Sequence, residues 1–62
     1  MRYWLEYWCA ARAEWLEFIG EDGWPVTSMR VDVVAMDAAL LHGRGLAARV
    51  VDLEGRVMLE YV

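Results

Sequence analysis

The sequence predicts a single small α+β domain over residues 1–62, in which an N-terminal amphipathic helix packs on a three-stranded, mostly antiparallel sheet. Three observations predict this class. Tryptophans recur at spacings of four and seven within residues 3–19, residues 26–36 alternate in polarity, and two β-rich runs near the C terminus flank a turn.

The N-terminal helix is predicted over residues 3–19, because its apolar side chains fall on one broad arc of a helical projection. Gly20 is expected to end the helix and Pro25 to prevent it from resuming. The arc is wider than one packing contact needs. Its predicted core seam consists of Trp4, Trp8, Trp15 and Ile19. The flank left for a partner is either Leu5, Cys9, Leu16 and Arg12, or Tyr7 and Phe18.

A strand is predicted over residues 26–36, where β-branched residues are frequent and side chains alternate. Two interpretations remain open for residues 37–42. Asp37 either caps a single helical turn over residues 38–41 that stops at His42 and Gly43, or it begins a wide loop.

A hairpin is predicted from residues 46–51 and 56–62, joined by a turn over residues 52–55. Gly55 suits a type I turn with a bulge. In one register of this hairpin, Asp52 faces Arg56 across the turn. Val57, Leu59 and Tyr61 then point to one side of the sheet, and Met58, Glu60 and Val62 to the other.

The chain has more apolar side chains than so small a domain can bury. Of its 62 residues 60% are hydrophobic, compared with about 45–50% in an ordinary domain. A chain of this length buries only about 60% of its unfolded surface. We therefore expect a homodimer, the commonest oligomer, with or without a protein partner that docks on the same surface. The predicted interaction residues are Trp4, Leu5, Tyr7, Trp8, Arg12, Trp15, Leu16 and Phe18.

Arg12 lies inside the predicted apolar arc, where its charge must be accommodated. We expect it to stack on Trp8 or Trp15, or to pair with an acid across an interface. The substitution Arg12→Glu is therefore expected to weaken self-association.

The charge pattern argues against nucleic acid and membrane partners. The net charge is −4, and six arginines without any lysine form no basic stripe that could neutralise consecutive phosphates. No apolar run approaches the roughly 18 residues that span a bilayer. Glu6 interrupts the stretch that a signal peptide would need, and Cys9 has no second cysteine to pair with, so we expect a cytoplasmic protein.

No catalytic, cofactor or metal site is predicted. His42 is the only histidine, whereas metal sites need three or four ligands. Ser28 has no histidine near it in sequence to act as a base. Gly43 and Gly45 form too short a glycine pattern to cradle a phosphate. We therefore expect a non-enzymatic interaction module.

Two segments resemble the C-terminal third of the YraN-like putative endonucleases. Residues 30–36 have the sequence Arg-Val-Asp-Val-Val-Ala-Met, and residues 48–55 have the sequence Ala-Arg-Val-Val-Asp-Leu-Glu-Gly. The resemblance covers roughly residues 12–57 and implies a helix, then a strand, then a short final strand. The family's nuclease core, with its Glu-x-Lys strand, has no counterpart in this lysine-free chain, so the resemblance implies a packing module without nuclease activity.

Two alternatives of other classes stay open. One is an acidic inhibitor or nucleic-acid mimic of the phage type, which would occupy a basic site on another protein; the net charge of −4 is modest for this role. The other is a designed or selected fold without a biological role, because the chain lacks asparagine and glutamine as well as lysine.

Overall fold

Five strands and one helix make up the fold of the protein, which we describe over all 62 residues from a computed structural model. The elements in chain order are β1 (Tyr3–Cys9), β2 (Glu14–Glu17), β3 (Thr27–Ser28), α1 (Val31–Gly43), β4 (Ala48–Asp52) and β5 (Val57–Tyr61). The predicted α+β class is confirmed. The predicted N-terminal helix and the three-stranded sheet are wrong in detail, since the chain begins with strands and the sheet has five.

The strands form one antiparallel sheet in the order β2-β1-β4-β5, and β3 also pairs with β1. The strands β2 and β3 follow one another along the same edge of β1, because Glu6 pairs with Glu17 whereas Trp4 pairs with Thr27. The other edge of β1 pairs with β4. The outer strands of the sheet are therefore β2 and β3 on one side and β5 on the other.

The stretch predicted as the N-terminal helix is a β-hairpin of β1 and β2. A turn closed by the Arg12 N–H, which donates to the Cys9 carbonyl at 3.2 Å, places Trp15 directly opposite Trp8. A spacing of four fits a strand as well as a helix, because four is an even number and puts Trp4 and Trp8 on one face. The aromatic content of β1 favours the strand.

The segment predicted as a strand over residues 26–36 lies mostly in α1. Only Thr27–Ser28 is a strand, and the helix begins at Val31. The single turn that one interpretation placed over residues 38–41 lies within this helix, which ends at Gly43, and the wide loop of the other interpretation is wrong. The sequence pattern does not indicate this helix, for two reasons. Its first turn contains three β-branched valines, which favour a strand. Its apolar residues occur on all sides, so they do not recur with the period of one helical face.

The core lies between α1 and one face of the sheet. Its six residues are Leu5, Val34, Ala38, Leu41, Ala48 and Val50. Strand alternation places Leu5 on this face and turns Trp4 and Trp8 to the other. The predicted core seam of Trp4, Trp8, Trp15 and Ile19 is therefore wrong.

The predicted C-terminal hairpin is confirmed, with Asp52 and Arg56 facing each other across its turn. The positive φ of Gly55, 80°, is one that glycine adopts without strain. Val50 pairs with Leu59 whereas Val51 pairs with Val57, so a bulge interrupts the predicted alternation of β5.

Candidate interaction surfaces

One face of the sheet has no second layer of secondary structure over it, because α1 is the only helix and packs on the opposite face. The side chains of this uncovered face alternate with the core residues along each strand. We call it the tryptophan face, and it comprises Trp4, Glu6, Trp8, Trp15, Glu17, Thr27, Arg49, Val51, Val57 and Glu60.

Aromatic and charged side chains contact one another at the centre of the tryptophan face. The rings of Trp8 and Trp15 meet edge to face, with centroids 5.6 Å apart. The guanidinium of Arg49 lies 4.3 Å from the centroid of Trp15. Its Nε also donates to Oε1 of Glu6 at 2.7 Å. The Arg49 and Glu6 side chains are only 23% and 19% exposed, so this pair is better shielded from solvent than an ordinary surface ion pair.

A row of charged residues crosses the whole tryptophan face. The row runs Glu17, Glu6, Arg49 and Glu60, since each is the cross-strand partner of the next. Three carboxylates and one guanidinium leave this row with excess negative charge. Glu17 and Glu60 make no ion pair within the chain.

A shallow concavity of about 260 Å³ lies beside this row, between β1, β2 and the β4–β5 turn. It is lined by Trp4, Glu6, Glu17, Val51, Asp52, Leu53 and Gly55. The hydrogen bond from Arg49 uses Oε1 of Glu6, and Oε2 of Glu6 makes no hydrogen bond within the chain. The concavity therefore combines an indole wall with two carboxylates that can accept further hydrogen bonds.

The turn that forms one wall of the concavity is fixed by Asp52. Burial on its own raises the pKa of the Asp52 carboxyl, but hydrogen bonds from the backbone N–H and side chain of Arg56 and from the backbone N–H of Glu54 outweigh it. The pKa of Asp52 is therefore below its ordinary value of 3.8. The residue is ionised at neutral pH and its role is structural.

The outer edge of β5 is a second exposed feature. No strand follows β5 in the sheet, and four of its five residues are exposed. Val57, Met58 and Leu59 are apolar, and Glu60 is the only charged residue of the strand. Natural sheets usually protect such edges with lysine, proline or a covering loop, whereas the only protective feature of this edge is the bulge at Met58, opposite Val50 and Val51.

A groove of about 360 Å³ separates α1 from the segment that follows β2. Its apolar lining is Leu5, Phe18, Ile19, Val26, Leu40 and Leu41. Asp37, Glu21 and Arg44 also line it. The groove is separate from the tryptophan face, because it lies on the α1 side of the sheet.

The eight predicted interaction residues do not form one surface. Trp4, Trp8 and Trp15 lie together on the tryptophan face. Leu5 is buried in the core at 1% exposure. Tyr7 and Phe18 pack against the core with ring centroids 5.9 Å apart, and Leu16 is the cross-strand partner of Tyr7.

Arg12 lies in the β1–β2 turn and not within an apolar arc. It is 3.6 Å from Glu14, and both side chains are well exposed. The arginine that stacks on Trp15 is Arg49. Sequence reasoning missed Arg49 and Glu6 because they are 43 residues apart and meet only through the β1–β4 register.

The remaining chemically reactive side chains are dispersed. Nε2 of His42 lies 3.3 Å from the carbonyl oxygen of Val62, and its ring packs beside Tyr61. Cys9 is a half-buried thiol. No three histidine, cysteine, aspartate or glutamate side chains are grouped so that they could hold a metal ion. The single helix is too short to cross a membrane.

No family model, curated protein or solved structure matches the chain. The resemblance to the YraN-like putative endonucleases therefore stays a prediction.

Proposed function

We propose that the chain is a non-enzymatic interaction module of the cytoplasm that forms a homodimer when the β5 edges of two copies pair. The observation that carries the proposal is the bare, mostly apolar outer edge of β5. Such an edge offers a row of unpaired backbone donors and acceptors to another strand. A partner strand satisfies these groups and covers the apolar side chains beside them.

A second copy of β5 fits this edge by symmetry. Two antiparallel copies related by a two-fold axis form a self-complementary ladder, in which Leu59 of each copy lies opposite Leu59 of the other. The two sheets then become one continuous sheet. Both α1 helices lie on one side of it, and both tryptophan faces lie on the other.

The exposed apolar side chains of β5 offset part of the cost of association. Val57, Met58 and Leu59 are each between a third and a half exposed, and pairing covers them in both copies. Fully burying a side chain of this kind contributes about 1.5–3 kcal/mol. Association itself costs about 4–15 kcal/mol. The two terms are of similar size, so the backbone hydrogen bonds of the new ladder have to supply the net affinity.

A second candidate, an acidic inhibitor that occupies a basic site of another protein, is supported by the charged row of the tryptophan face. Glu17 and Glu60 are free to pair with basic residues of such a partner. Glu60 belongs both to β5 and to the charged row, whereas Glu17 lies on β2, away from the proposed dimer edge.

The substitution Met58→Glu tests the proposed dimer. When Leu59 lies opposite Leu59, position 58 of one copy lies opposite Glu60 of the other, so a glutamate at position 58 brings like charges together and opposes pairing. Met36→Glu is the matched control, since Met36 is 68% exposed on α1 and Met58 is 48% exposed on β5. We expect the wild type and Met36→Glu to show a dimer mass by sedimentation equilibrium, and Met58→Glu to show a monomer mass with an unchanged circular dichroism spectrum. A folded Met58→Glu variant that remains dimeric contradicts the proposal.

A further inference from the structure

We propose that the concavity of the tryptophan face binds an arginine side chain from a basic segment of a protein partner. This inference concerns a different surface from the β5 edge and does not depend on dimerisation. It rests on the lining of the concavity, on the way the same face already holds Arg49, and on the charge of the row that crosses it.

The lining of the concavity suits a planar cation. Trp4 supplies an aromatic surface, and aromatic faces attract cations within about 6 Å of the ring centroid. Glu6 and Glu17, which are cross-strand partners, place two carboxylates beside that ring. A guanidinium presents several N–H donors in one plane, so it can contact the ring and both carboxylates at once.

The neighbouring Arg49 shows that this face can hold a guanidinium in such surroundings. Arg49 lies 4.3 Å from the centroid of Trp15 and donates to Glu6 at 2.7 Å. The concavity offers the same two components, an indole and a carboxylate, on the other side of Glu6. A lysine would satisfy the charge but not the stacking, because its ammonium is a compact point charge.

The negative charge of the row that crosses the tryptophan face favours a basic protein as the partner. The row has three carboxylates against the single guanidinium of Arg49, and the whole chain carries −4. Arg2 lies beyond Trp4 at the margin of the face, where it donates to the Thr27 hydroxyl at 2.7 Å. Phosphates would be repelled by the row, so stacking of nucleic acid bases on the tryptophans is disfavoured. A second copy of the same face would bring like charges together.

The test is a titration of the full chain with a blocked hexapeptide of alternating glycine and arginine, followed through the four indole N–H resonances by NMR. Trp24, which is 71% exposed in the loop between β2 and β3, is the internal control. We expect the Trp4 resonance to shift most and the Trp24 resonance to stay in place. An unshifted Trp4 resonance, or an equal shift at Trp24, overturns the proposal.

Glu17→Gln and Glu21→Gln form a matched pair of variants for the same titration. Both remove one negative charge from an exposed residue, but only Glu17 lines the concavity. We expect Glu17→Gln to weaken peptide binding by about threefold, as the loss of one exposed ion pair predicts, and Glu21→Gln to leave it nearly unchanged. Equal effects of the two substitutions contradict a specific site.

Two further probes separate the partner classes. The lysine version of the hexapeptide is expected to bind more weakly than the arginine peptide, and equal binding would overturn the assignment to arginine. A single-stranded oligothymidylate is expected to leave the Trp4 resonance in place. If the oligonucleotide shifts that resonance and the arginine peptide does not, the face binds nucleic acid and the proposal is wrong.

Discussion

Arg56 holds the buried carboxylate of Asp52 by both its side chain and its backbone. Its Nε donates to Oδ2 at 2.8 Å and its N–H donates to Oδ1 at 2.9 Å. The N–H of Glu54 donates to the same Oδ1. These bonds fix the β4–β5 turn, and with it the start of the exposed β5 edge and one wall of the concavity.

Substitution of Asp52 should therefore have a pH-dependent effect on stability. Since the folded-state pKa is below the ordinary value of 3.8, ionised Asp52 stabilises the fold above that value. This stabilisation is lost as the pH falls through the lowered pKa. We expect Asp52→Asn to reduce the free energy of unfolding at pH 7, and the difference from the wild type to shrink below about pH 4.

Urea unfolding between about pH 2 and pH 7 measures this difference. Glu54→Gln is the control, because Glu54 also approaches Arg56, at 3.3 Å, but is well exposed. We expect little effect of Glu54→Gln at any pH. A difference between Asp52→Asn and the wild type that is independent of pH would show that the charge of Asp52 does not contribute.

Leu5 should behave as a core residue and not as part of an interface. It lies on β1 and is 1% exposed in the core beneath α1, whereas Leu53 is 73% exposed in the β4–β5 turn. We expect Leu5→Ala to reduce the free energy of unfolding by about 2–5 kcal/mol, because it leaves a cavity. Leu53→Ala should change it by less than about 0.5 kcal/mol. Chemical unfolding of both variants measures these changes, and equal values would place Leu5 outside the core.

Two proline substitutions distinguish the observed fold from the one predicted by tryptophan spacing. Ala39→Pro interrupts α1 and should cost about 3 kcal/mol or more. Ala10 follows Cys9 at the second position of the β1–β2 turn, where proline is favoured, so Ala10→Pro should be tolerated. Thermal unfolding followed by circular dichroism compares the two. A helix over residues 3–19 would give the reverse result.

The C-terminal hairpin could be predicted because its signals are local. Asp52 and Gly55 define the turn, and β-rich residues lie on both sides of it. The sequence predicts a bulge at the turn, beside Gly55, but not the bulge at Met58 within β5, because that one depends on how β5 pairs with Val50 and Val51 of β4.

The first half of the chain misled sequence reasoning for a physical reason. A spacing of four between Trp4 and Trp8 fits both a helix and a strand. In α1 the exposed residues Val33, Met36 and Leu40 are as apolar as the buried ones, so the helical spacing of the buried residues cannot be recognised in the sequence. The pattern therefore predicts a helix in the segment that forms β1 and β2, and a strand in the segment that forms most of α1.

The candidate site was predicted in part. The number of tryptophans indicated an aromatic surface, and three of them do share one face. The charged row could not be found without the strand order, because Glu17, Glu6, Arg49 and Glu60 become neighbours only when β2, β1, β4 and β5 are placed side by side. The bare β5 edge also depends on that order.

Amide hydrogen exchange at the outer strands β5 and β2 tests the central claim, that β5 pairs with a second copy, most directly. The backbone N–H groups of β5 that do not donate to β4 should be protected, and their protection should rise with protein concentration. The outward N–H groups of β2, the other outer strand, serve as the control and should exchange quickly at every concentration. If the outward N–H groups of β5 exchange as quickly as those of β2, independently of concentration, the β5 edge is unpaired in solution and the proposed dimer is contradicted.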